Sequence, residues 1–184
     1  MRVRGTKPPR AGAKGIEHMK KRGFVFVILL GILAGSTDAI AALSAAEREL
    51  LRGLDGFRLA VERIKPEIER DGLFRDILLS DMELRLRMAG IKTLSEEEAE
   101  SKPEAPVLYL YMDAMKCSLG YVYTLRLSLM EPVKLTRNNV KVSATVLRIP
   151  GELGITAHLS EIREAAGDFL EEFIKAWKAA NPKK

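Results

Sequence analysis

Tyr121 to Leu129, YVYTLRLSL, alternates without a break. Tyr121, Tyr123, Leu125, Leu127 and Leu129 fall on one face, and Val122, Thr124, Arg126 and Ser128 on the other. A period of two over this length is a strand with one face against a core. Its backbone groups must find partners on neighbouring strands, and the flanking sequence supplies them. After Pro106, VLYLYMDAMKC is apolar on both faces, as expected of a well-covered strand, and only SLG separates it from the next run. That spacing predicts a hairpin. TRNN makes a second turn, and VKVSATVLRI alternates again, which places Val140, Val142, Ala144 and Val146 inward. Pro150, Gly151 and Gly154 then read as a loop. The result is a three-stranded meander.

Helices flank it. SAAERELLRG (44–53) reads as a short lead-in helix, and Phe57, Leu59 and Val61 as the buried face of a first strand ended by Pro66. In DGLFRDILLSDMELRLRMAGI, Leu78, Met82, Leu86 and Ala89 recur at helical spacing, widened by Ile77, Leu84 and Met88. Gly90 is the expected left-handed stop, with Ile91 folding back. Residues 94–106, rich in Glu and Pro, read as a solvated loop without the alternating carboxylates and Gly of a calcium site. The last helix is predicted from an N-cap at Ser160, with Ile162, Ala166, Phe169, Phe173 and Trp177 on one stripe. Strand, helix, three-stranded meander, helix is an α+β order. It predicts a two-layer domain with a mostly antiparallel sheet, helices on one face, and a possible parallel pairing of the first strand through a crossover.

Residues 19–43 set the compartment. Lys20, Lys21 and Arg22 precede an uncharged apolar stretch from Gly23 to Gly35, and small residues follow at Ala39, Ala41 and Ala42. The stretch is shorter than the ~20 apolar residues of a spanning helix. A positive end, a short apolar core and an A-x-A site form a signal peptide, with cleavage expected near Ala41. The alternative is a retained anchor. Residues 1–18 read as a disordered preamble or a mis-called start, with Met19 the expected true start. Residues 42–184 are then one α+β domain in the periplasm or secreted. The chain has 30 Lys+Arg and 25 Asp+Glu, but eight of the basic and two of the acidic residues lie in 1–41. The remainder, 22 basic and 23 acidic, offers no compositional support for a nucleic-acid partner.

DMELRLRMAGIK, an acidic stretch and PVLYLYMDA together resemble the amino-terminal domain of TolB-like periplasmic proteins, where a helix ending in GI also feeds a strand introduced by Pro. The likeness extends to exported bacterial proteins with this order of helix, meander and helix, and covers about residues 54–180. The β-propeller that follows in TolB has no counterpart here. What the resemblance implies is a non-catalytic envelope module and not a named pathway.

The residues agree with that implication. There is no HExxH, GxSxG, CxxC, phosphate loop or GxGxxG. No cofactor and no metal is expected. Cys117, the single cysteine, reads as a buried small hydrophobe. His158 is the one histidine of the mature chain; an enzyme centred on it would need Asp113 or Glu161 to converge. Asp113 and Arg126 are placed to pair across the hairpin. The preferred reading is a module that binds another envelope protein through the uncovered sheet face. Tyr109, Tyr111, Arg126, Leu147 and Ile149 are the candidate contact residues. Membrane contact is expected only through an uncleaved leader, and the oligomeric state is left open.

Overall fold

The alternating run folds as read. In the computed structural model, which describes residues 43–182, Leu125, Leu127 and Leu129 are buried on the central part of a strand, β3, that spans Gly120–Lys134. Ahead of it come α1 (Ala45–Glu49), β1 (Arg58–Val61), α2 (Pro66–Arg70), α3 (Arg75–Met88), α4 (Glu96–Ser101) and β2 (Val107–Cys117). Behind it come β4 (Lys141–Thr156) and α5 (Leu159–Ala180). The sheet order is β1-β2-β3-β4. β1 pairs with β2 in parallel, from Arg58↔Val107 to Val61↔Leu110. The other two pairings are antiparallel. This is an α+β fold with an open sheet. The expected preamble (1–18) and signal peptide (19–41) lie outside the described residues.

One face of the sheet carries the core. Leu108, Leu110 and Met112 of β2 stand opposite Leu129, Leu127 and Leu125 of β3. They join Leu78, Met82 and Leu86 of α3 and Ile162, Phe169, Leu170 and Phe173 of α5 in one buried cluster. Phe173 meets Phe57 edge to face, with ring centroids 5.3 Å apart. α3 packs on β1 and α5 on β3 and β4, so both long helices lie on the same side. Trp177 is half-buried and donates from Nε1 to the Leu54 carbonyl at 3.1 Å. The end of α3 is the expected one. Gly90 has φ +77°, and the N–H groups of Gly90 and Ile91 return to the carbonyls of Arg87 (3.0 Å) and Leu86 (2.9 Å), a Schellman stop.

Several expectations are corrected. Residues 94–106 are not all loop, for α4 forms inside them. Its capping box joins Ser95 and Glu98, each accepting from the other's backbone N–H at 3.2 and 3.1 Å. β4 does not stop at Pro150; it runs on to Thr156. An edge strand tolerates Pro because one side of its backbone needs no partner. Register shifts fall between Leu125 and Leu127 and between Leu129 and Met130 of β3. At the second, Leu129 faces Leu147 while Met130 faces Thr145, so Val146 is an extra residue and the alternation of β4 reverses. The reversal sends Leu147 and Ile149 into the core, 4 % and 2 % exposed. Val140 and Val142, expected inward, are exposed. Val142 lies where β3 and β4 run past the last β2 pair, Val107↔Met130, and pair only with each other, and Val140 precedes β4. Cys117 is exposed at the hairpin end and not buried. α5 starts at Leu159, with His158 in the cap position and making no side-chain cap bond, so Ser160 lies inside the helix.

Candidate functional site: the open face of the sheet

The register decides which side chains share the uncovered face. Across the strands, Ala60, Tyr109, Ser128 and Arg148 form one row, and Tyr111 and Arg126 the next. Asp113, Thr124 and Leu153 form a third row, and Met115, Val122 and Ile155 a fourth. Tyr109, Tyr111 and Arg126 therefore stand together on this face. Leu147 and Ile149 do not, for the reason given above.

The face has two halves of different chemistry. In the first half the side chains hold one another. The Arg126 guanidinium lies over the Tyr111 ring, 4.3 Å from its centroid, a cation–π contact. Gly151 makes room for it, since a Cβ there would stand 2.6 Å from the Arg126 Cγ. Tyr109 donates its hydroxyl to Glu62. Burial first, and that carboxylate second, push the Tyr109 phenol up to about 12. The same bond holds Glu62 below the usual carboxylate range. Asp113 is not paired with Arg126. The register sets it opposite Thr124, and its carboxylate takes Lys65 Nζ at 2.7 Å, which raises the lysine. The second half is apolar and exposed. Leu153 is 77 %, Ile155 62 % and Met115 56 % exposed, and Val122 is half-buried between them. Isolated exposed apolar residues are ordinary, whereas these three stand in neighbouring positions on one sheet face.

The alternative centred on His158 meets a different geometry. His158 is exposed and lines a depression of about 440 Å³ with Asp71, Tyr121 and Arg163. Neither proposed carboxylate reaches it. Asp113 is on the open face with Lys65, and Glu161 accepts the Thr156 hydroxyl at 2.6 Å. The carboxylate that does line the depression, Asp71, is already taken by Lys116 (2.8 Å) and the Tyr121 hydroxyl (2.9 Å), Lys116 being the larger cause of its lowered pKa. A base needs a second group to orient it, and no described side chain hydrogen-bonds the His158 ring. A larger groove of about 680 Å³ runs between α3 and α5 past Leu84 and Met88. Four of the charged groups on its walls are paired, Arg163 with Asp81 and Arg85 with Glu171 at 3.3 Å. Among the described residues no three of His, Cys, Asp and Glu gather as metal ligands.

Neither the family models nor the curated proteins compared with the chain match it.

Sequence reasoning missed Lys65, Arg148, Met115, Leu153 and Ile155. For the last two a signal existed. ELGIT alternates Leu153 and Ile155 about Gly154, and reading Pro150-Gly151 as a bulge in place of a loop carries the strand through. Lys65 had none, since it reaches Asp113 only through the parallel placement of β1 beside β2.

Proposed function

We propose that this domain acts by contact, as a non-catalytic binding module of the bacterial cell envelope, and that its open sheet face is the contact surface. The observation that carries the reading is the contrast within one sheet. Both long helices cover one face, while the other presents the Tyr111–Arg126 stack beside exposed Met115, Leu153 and Ile155. Tyr and Arg anchors next to apolar area are the composition of interface hot spots. The resemblance of residues 54–180 to the amino-terminal domain of TolB-like proteins supports an envelope setting, as does the layout of Lys20–Arg22, the apolar stretch and Ala39-Ile40-Ala41. No helix among the described residues is long and apolar enough to cross a membrane. The partner is another envelope protein.

Complementation of a deletion strain tests this. Tyr111→Ser and Leu153→Asp are expected to abolish the envelope function while leaving export and thermal unfolding unchanged. His158→Ala is expected to complement fully. If His158→Ala alone fails while folded and exported, the contact reading falls and an enzyme centred on the depression beside Asp71 takes its place.

A further inference from the structure

We infer that the open face takes an extended polypeptide segment in which an acidic side chain and an apolar side chain stand four positions apart. The inference rests on the reading of that face as the contact surface and says what chemistry fits it.

Charge comes first. Three guanidiniums project on the open side, Arg58 at Val107, Arg148 at Ser128 and Arg126 at Tyr111. None has a carboxylate among the described residues within salt-bridge distance. The two carboxylates of the face, Glu62 and Asp113, are both engaged, by Tyr109 and by Lys65. The surface therefore offers cations without a carboxylate partner and no carboxylate without a partner of its own. Stacking fixes the plane of Arg126 and leaves its N–H edge for a planar acceptor, which a carboxylate matches in two parallel bonds.

Distance comes second. Arg126 and Val122 are four positions apart on the same face of β3, about 13 Å at ~3.3 Å per residue. Val122 lies in the row of Met115 and Ile155, next to Leu153. A peptide extended along the strands places residues i and i+4 at that same separation. A helix would need about nine residues to cover it at ~1.5 Å each.

The remaining chemistry excludes other occupants. A single-stranded nucleic acid wants bare aromatic faces for its bases, but Arg126 covers Tyr111 and the Tyr109 hydroxyl is tied to Glu62. Addition of a strand to the β4 edge is opposed by Pro150 and by the two register shifts in the β3–β4 pairing. The segment lies on the open face, running along the strands.

The test is selection from a phage-displayed library of random peptides on the purified full chain. Selected peptides are expected to carry Asp or Glu four positions from Leu, Ile, Val, Met or Phe. Their binding should weaken with added salt and fall at least about ten-fold in Arg126→Glu and in Leu153→Asp. Selection on Arg126→Glu should turn to Lys and Arg. Peptides that need Leu153 but show no acidic enrichment, or show it at helical spacing, overturn the inference and leave the contact surface standing. Peptides that bind Leu153→Asp and Tyr111→Ser as well as the native chain overturn both. An empty selection overturns the inference, and the complementation assay then judges the contact reading by itself.

Discussion

Leu110 and Tyr111 are neighbours on β2 and face opposite ways, and the two faces they belong to are held by different physics. Leu110 is 1 % exposed and surrounded by Leu127 and the apolar stripes of α3 and α5. Burial of that kind is non-directional and sums over many atoms. Tyr111 has no layer above it. Its shelter comes from one guanidinium at 4.3 Å, beside a phenol bonded to Glu62 and an ammonium bonded to Asp113. An exposed ion pair such as Lys65–Asp113 typically contributes less than about 1 kcal/mol. The covered face makes the fold, while the open face orders its side chains at little cost in stability and leaves them available. The same backbone supports both because a strand's side chains alternate.

Three substitution and titration experiments can break that contrast. The largest effect is expected at the centre of the covered face. Phe173→Ala removes a ring that is 1 % exposed and in edge contact with Phe57, and should cost about 3–5 kcal/mol in denaturant unfolding. Leu153→Ser, on the open face, should stay within about 0.5 kcal/mol of the native chain. Equal costs would mean that the two faces do not differ as described.

The reversal in β4 allows a sharper version. Leu147→Ala should cost about 2–5 kcal/mol, because Leu147 packs opposite Leu129 in the core. Val142→Ala, five residues earlier on the same strand and exposed, should be nearly silent. The opposite ranking would show that the strand keeps its alternation without a bulge, and would return Leu147 and Ile149 to the open face.

The smallest effect is a titration. Tyr109 and Tyr123 are each pushed up to about 12, by burial first and then by the carboxylates of Glu62 and Glu152. The ordinary value is 10.0. Folded pKa values above the unfolded ones mean that the stabilisation is fully present below pH 10 and is lost as the pH rises from 10 to about 12. Ultraviolet titration of the four tyrosines should show these two ionising late, together with a fall in stability over that window. Glu62→Gln should lower the Tyr109 value and leave Tyr123 unchanged. A Tyr109 that ionises at the ordinary value would show that its hydroxyl is not held by Glu62.

Much of this architecture is legible without the coordinates. Periodicity locates β2, β3, α3 and α5, and Gly90-Ile91 marks the end of α3, because these signals are local and each residue's role follows from its neighbours in the chain. Tyr109, Tyr111 and Arg126 could be named from their positions on alternating strands. Their grouping could not, since it depends on pairing Tyr111 with Arg126 and on no other offset. Leu147 and Ile149 went to the wrong face because one extra residue, Val146, resets the count, and VKVSATVLRI has no Gly or Pro to announce it. The helix over 96–101 was legible in SEEE, whose Ser95 and Glu98 stand at the spacing of a capping box.

By itself the sequence determined the two sides of β1 and β3, a helix on either side of the meander, and a set of chemical groups without a recognisable catalytic arrangement. Tertiary structure alone decided which sides coincide. Lys65 meets Asp113, Arg126 meets Tyr111, Ile155 continues the row of Met115 and Val122, and Leu153 that of Asp113 and Thr124, all through contacts between residues far apart in the chain. Such contacts depend on register, crossover and bulge position. These are set by the packing of the whole core, so no local pattern in the chain can express them.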